Sequence, residues 1–121
     1  MVDSGVPGER LYSLPGEHLV GKIAANHILD GRGYEGYLYV TSVSLIHIPL
    51  PASESRGAKA FAIDLSEVTG VDAAPRGTRW RDGSLRRRLR VTTASGDPEL
   101  FVVWRVGSAV ELIERARRSA G

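Results

Sequence analysis

The chain has no cysteine, a single methionine and only two phenylalanines among 121 residues. Without cysteine there is no disulfide framework, no thiolate metal site and no cysteine nucleophile. Lysine is almost absent, with Lys22 and Lys59 the only two, so the positive charge is carried by arginine. No apolar run approaches the ~20 residues that a membrane-spanning helix needs. The longest, residues 43–50, is interrupted by Ser44, His47 and Pro49. The first eight residues lack the basic and apolar regions of a signal peptide, and the expected location is the cytoplasm, with association at a membrane peripheral if it occurs. His18, His27 and His47 have no metal-ligand spacing and no carboxylate joins them in one, so neither metal nor cofactor is expected. Gly31-Arg32-Gly33 lacks the third glycine of a dinucleotide loop and leads into a strand, where no helix N-terminus waits for a phosphate. Serines sit mainly in turns, away from a histidine base, and no catalytic residue is assigned. His47, between Ile46 and Ile48, reads as a satisfied strand histidine.

Hydrophobic residues make up 42% and charged residues 25%, the proportions of a soluble globular domain large enough for its own core. Residues 1–13 are rich in glycine and polar groups and are expected to be flexible, leaving 14–121 as one folded unit. The net charge of +2 conceals an asymmetry. Residues 1–75 carry five basic and nine acidic side chains, a net of −4; residues 76–121 carry eleven and five, a net of +6. A bipolar surface of this kind steers an anionic partner to one side.

The hydrophobic pattern predicts mostly strands. As a strand, residues 19–29 place Ile23, Ala25, His27 and Leu29 on one face and Lys22, Ala24, Asn26 and Ile28 on the other; Ala24-Ala25 leaves a helix as the alternative. Asp30-Gly31-Arg32-Gly33 signals a turn. Residues 34–41 set Leu38 and Val40 against Tyr37 and Tyr39, and the two tyrosines form a candidate contact patch. Residues 44–50 follow and end at Pro49 and Pro51; 51–58 read as a polar loop. Strands are expected over 61–65 and 68–74, then a hairpin turning at Asp82-Gly83, with 86–94 as its second arm and 100–106 as the last strand. A helix is expected after Gly107, opened by the capping box Ser108-Ala109-Val110-Glu111. Ala109, Val110, Ile113 and Ala116 share its apolar stripe, which Leu112 widens.

Three stretches carry a resemblance. Glu35-Gly36-Tyr37-Leu38-Tyr39-Val40-Thr41-Ser42-Val43-Ser44-Leu45-Ile46 resembles an early hairpin of GRAM and bacterial pleckstrin-homology-like domains. Leu14-Pro15-Gly16-Glu17 is similar to the turn before their first strand, and residues 61–71 to a segment joining two later strands. The resemblance spans residues 14–119 and implies a mostly-β, seven-stranded, two-sheet barrel capped at one end by the C-terminal helix. It also implies a binding module for phosphoinositides, other anionic lipids or protein segments, rather than an enzyme. Membrane-binding members often carry basic residues in the first loop; here that loop is Asp30-Gly31-Arg32-Gly33.

The basic constellation is the candidate site. Arg76, Arg79, Arg81, Arg86, Arg88 and Arg90 fall on one predicted hairpin with Trp80 near its tip. Arg86, Arg88 and Arg90 share a strand face with a spacing of ~6.8 Å. Guanidiniums on such a ribbon suit phosphate or carboxylate groups, and a tryptophan suits a membrane interface or a stacked ring. The expected partner is a protein or an anionic lipid surface. Nucleic acid contacted through the same hairpin, and self-association through a sheet edge, are the alternatives.

Overall fold

The computed structural model describes residues 17–74 and 88–120. Seven antiparallel strands form one curled sheet: β1 Leu19–Leu29, β2 Arg32–Thr41, β3 Ser44–Pro49, β4 Phe61–Asp64, β5 Val68–Ala74, β6 Arg88–Thr93 and β7 Glu99–Val103. Their order across the sheet is β4-β3-β2-β1-β7-β6-β5. The β1–β7 pairing, Ala25 with Val103 and His27 with Phe101, joins what the resemblance had divided into two sheets, and the ladder is continuous. A short helix α1, Pro51–Glu54, lies between β3 and β4, and α2, Val106–Ala120, follows β7.

Local chemistry sets the turns. Asp30 and Gly31 both have positive φ (51° and 76°), and Leu29 pairs with Arg32 directly across them. A two-residue turn with two left-handed positions matches the twist of the strands it joins, which is why aspartate and glycine stand there. The β2–β3 turn is built on Thr41. Its hydroxyl accepts from the backbone N–H of Ser44 at 2.8 Å and of Val43 at 3.1 Å, and donates to Glu17 Oε2 at 2.7 Å.

Alternation fills the inside of the curl. Leu38, Val40, Leu45, Leu89, Val91 and Phe101 are buried there. Helix α2 closes one end, laying Ala109, Ile113 and Ala116 on the core at helical spacing. Leu112 packs so tightly on Gly21 that a Cβ there would stand 2.6 Å from its Cδ2, which places α2 at the beginning of β1. Arg117 Nη2 donates to the Val68 carbonyl at 3.0 Å, and its Nη1 to Glu114 Oε1 at 2.5 Å, tying the last turns to β5.

Two local expectations change, and two lie beyond what is described. Residues 51–58 are not all loop, because Pro51 takes the first position of α1, where the missing N–H costs nothing. Helix α2 begins at Val106, with the Ala109 N–H bonded to the Arg105 carbonyl at 3.1 Å, so Ser108 lies within the first turn and not at the cap. The first arm of the expected Asp82-Gly83 hairpin and the N-terminal segment lie outside the described residues.

Candidate functional site

Two places on this frame carry chemistry. The first is the outer face of β6, β7, β1 and β2. Leu89 and Val91 point into the core, so Arg88 and Arg90 project outward from β6. The Leu89–Phe101 and Ala25–Val103 pairings fix the neighbours. Val102 stands between Arg88 and Asn26, and Trp104, just past β7, comes alongside Ala24, whose other neighbour is Tyr37. Trp104 is 84% exposed, the most exposed of the large apolar side chains among the described residues. Lys22 reaches over the Tyr37 ring, 4.2 Å from its centroid, and lies 5.6 Å from the Tyr39 ring. Arg105 is exposed next to the tryptophan in the chain. The result is an aromatic surface edged by cations.

Of the basic ribbon, only Arg88 and Arg90 lie among the described residues; Arg76, Arg79, Trp80, Arg81 and Arg86 lie outside them. Arg88 and Arg90 do share one face, as strand alternation predicts. Arg90 is bound by a carboxylate of the neighbouring strand: Nε donates to Asp72 Oδ1 at 2.9 Å and Nη2 to Oδ2 at 2.6 Å. The hydrogen bonds from Arg90 hold the Asp72 carboxyl below its usual range and push the guanidinium's own pKa up. That pairing leaves Arg90 less of its charge for a partner than the sequence suggests. Tyr37 and Tyr39 share the outer face, but Tyr39 is 3% exposed, so the expected tyrosine patch reduces to Tyr37. Trp104 was not singled out in the sequence, although a tryptophan two residues beyond Val102 in a strand with Phe101 and Val103 inward must point outward.

The second place is the mouth of the curl away from α2, at the end of β1 and the beginning of β2. His27, His47, Phe61 and Phe101 form a cluster of four rings. The His27–Phe61 centroids are 4.7 Å apart, His27–Phe101 5.2 Å and His27–His47 5.6 Å. His27 Nε2 is 2.7 Å from Glu99 Oε1, and His47 Nε2 is 2.9 Å from the Ala25 carbonyl. A carbonyl only accepts, so Nε2 of His47 carries the proton. Burial pushes the pKa of His47 down, and nearby His27 acts in the same direction. A cavity of about 380 Å³ opens beside these rings, lined also by Leu29, Tyr34 and the 57–60 loop. Both histidines are core-satisfied, as His47 was expected to be. Among the described residues no three His, Asp or Glu side chains come together as a metal site.

No helix among the described residues is long and apolar enough to cross a membrane. No protein-family model matches the chain, and no curated protein matches it. Solved structures do. A crystal structure of the C-terminal domain of an unknown protein from Leishmania infantum superposes with a TM-score of 0.71 at 15% identity, covering 92% of this chain and 94% of that one. The Vps36 N-terminal PH domain superposes with a TM-score of 0.57 at 14% identity, covering 88% and 81%. The fold is therefore of the pleckstrin-homology-like class: a curled antiparallel sheet of seven strands with a C-terminal helix.

Proposed function

We propose that the domain is a non-catalytic docking module that takes an acidic protein segment on the outer face of β6, β7, β1 and β2. The observation that carries this reading is Trp104, 84% exposed just past the end of β7, with exposed Arg105 beside it in the chain and Lys22 on the same outer face of β1. Tryptophan and arginine dominate the binding energy of protein interfaces, because one buries a large rigid ring and the other pairs with carboxylates in a planar fork. Arg76, Arg79, Trp80, Arg81 and Arg86 extend this positive face in the proposal, and the net charge of +6 on residues 76–121 supports it. A kinship with GRAM-like modules within the class is part of the proposal and rests on the sequence of residues 35–46, which span the end of β2 and the beginning of β3.

Selection of peptides from a random display library, against the wild type and Trp104→Ala, tests the reading. Acidic peptides are expected, with affinity reduced about tenfold by the substitution. Phosphatidylcholine vesicles with and without phosphatidylserine form the opposing arm. Binding to the anionic vesicles without any peptide enrichment assigns the surface to lipid and overturns the protein reading. Peptides that bind Trp104→Ala equally well overturn the site.

A further inference from the structure

The cavity at the mouth of the curl takes no part in that docking surface, since its lining comes from the inner face of β1, β2, β3 and β4 and from the 57–60 loop. Its walls are Leu29, Tyr34 and Phe61, with the faces of His27 and His47 as floor and Lys59 at the rim. A volume of about 380 Å³ holds roughly a dozen water-sized heavy atoms and lies in the range of small-ligand pockets.

One ring nitrogen of each floor histidine is already engaged. Nε2–H of His27 faces Glu99 and Nε2–H of His47 faces the Ala25 carbonyl. The ring faces therefore offer apolar and π surface to a ligand. Arg56 is also drawn elsewhere: its guanidinium lies 5.1 Å from the centroid of the Tyr34 ring and reaches the Gly33 carbonyl and Ser53 Oγ at 3.5 Å. Lys59 is left as the cation in the lining. One ammonium over an apolar, aromatic-floored pocket complements one negative charge on a compact apolar body. A polyphosphorylated headgroup needs several cations and a polar floor, and fits neither feature.

We propose that this mouth binds a small monocarboxylate with an aromatic or short aliphatic body, the body resting on His27, His47 and Phe61 and the carboxylate on Lys59. Binding at this site is independent of Trp104. The dimensions exclude a long acyl chain lying wholly inside, and the single cation sets the ligand charge at one.

Titration of the isotope-labelled protein with benzoate, followed by amide chemical shifts, tests the proposal. Saturable shifts are expected at Lys59, Ala60 and Phe61, with little change at Trp104. Lys59→Gln and replacement of benzoate by benzyl alcohol are each expected to weaken binding about tenfold, the loss of one charge-assisted contact. Ala58→Trp fills the cavity and is expected to abolish the shifts while the spectrum stays that of a folded chain. Shifts that do not saturate, equal binding of benzyl alcohol, tighter binding of inositol hexakisphosphate, or unchanged binding to Ala58→Trp each overturn it.

Discussion

Asp72 of β5 and Arg90 of β6 face each other across the ladder and close a two-point ion pair, with contacts of 2.9 and 2.6 Å. The pair stands on the solvent side of the sheet, where water and salt screen it, so its effect on stability is small. Its effect on the surface potential is larger, because it offsets the Arg90 charge on the outer face. Asp72→Asn is expected to leave the melting temperature close to that of the wild type and to tighten binding of acidic peptides, the gain shrinking as salt rises. Calorimetric titration at two ionic strengths checks this; unchanged affinity would remove Arg90 from the docking surface.

His47 makes stability depend on pH. Burial holds its folded-state pKa below the ordinary histidine value of 6.5, with the Ala25 hydrogen bond opposing and His27 reinforcing. A base with a lowered pKa is protonated first in the unfolded chain. Stability is therefore full above about pH 6.5 and falls as pH drops below that value, until the folded ring itself takes a proton. The groups around it are His27 on β1, paired with Glu99 on β7, and Lys59 at the pocket rim. Urea midpoints measured from about pH 8 to about pH 5 are expected to decline for the wild type and to decline less for His47→Gln.

Two close approaches of the backbone, at Gly36 and Gly21, differ in what they meet. A Cβ on Gly36 would run into the backbone oxygen of Ile48 and stand 2.8 Å from Pro49 Cα and 2.9 Å from His47 Cε1. A Cβ on Gly21 would meet only the side chain of Leu112. Strand backbone cannot step aside without breaking the β2–β3 ladder, whereas a leucine end rotates. Gly36→Ala is expected to cost about 1–3 kcal/mol, and Gly21→Ala about 1 kcal/mol or less. Thermal unfolding of the two variants gives the comparison.

Much of this fold can be read along the chain. Period-two alternation fits β1 and puts Ala25 and His27 on one face, although Ala24-Ala25 leaves a helix open there until the ladders are seen. The stripe of Ala109, Ile113 and Ala116 defines α2. The two-residue turn at Asp30-Gly31 follows from residues that tolerate positive φ. What alternation does not supply is register. Nothing within residues 19–48 says that His27 and His47 end 5.6 Å apart, since their approach depends on the offsets of β1 on β2 and β2 on β3. The same holds for the surface: Trp104, Ala24 and Tyr37 are scattered in the chain and become neighbours only through the β1–β7 and β1–β2 ladders. Arg90 appeared as one of a row of like charges because Asp72, eighteen residues earlier, enters the picture only when β5 pairs with β6.

The borders of the sheet have a consequence for self-association. β4 is only four residues long, and a single 3₁₀ turn, Leu65–Glu67, follows it. β5 is longer, but its register slips between Val68 and Gly70, and Arg117 occupies the Val68 carbonyl. A foreign strand approaching either border finds a short or interrupted template, which is how natural sheets discourage stacking one on another. Two molecules of a domain with such margins therefore meet through side chains more readily than through shared backbone ladders.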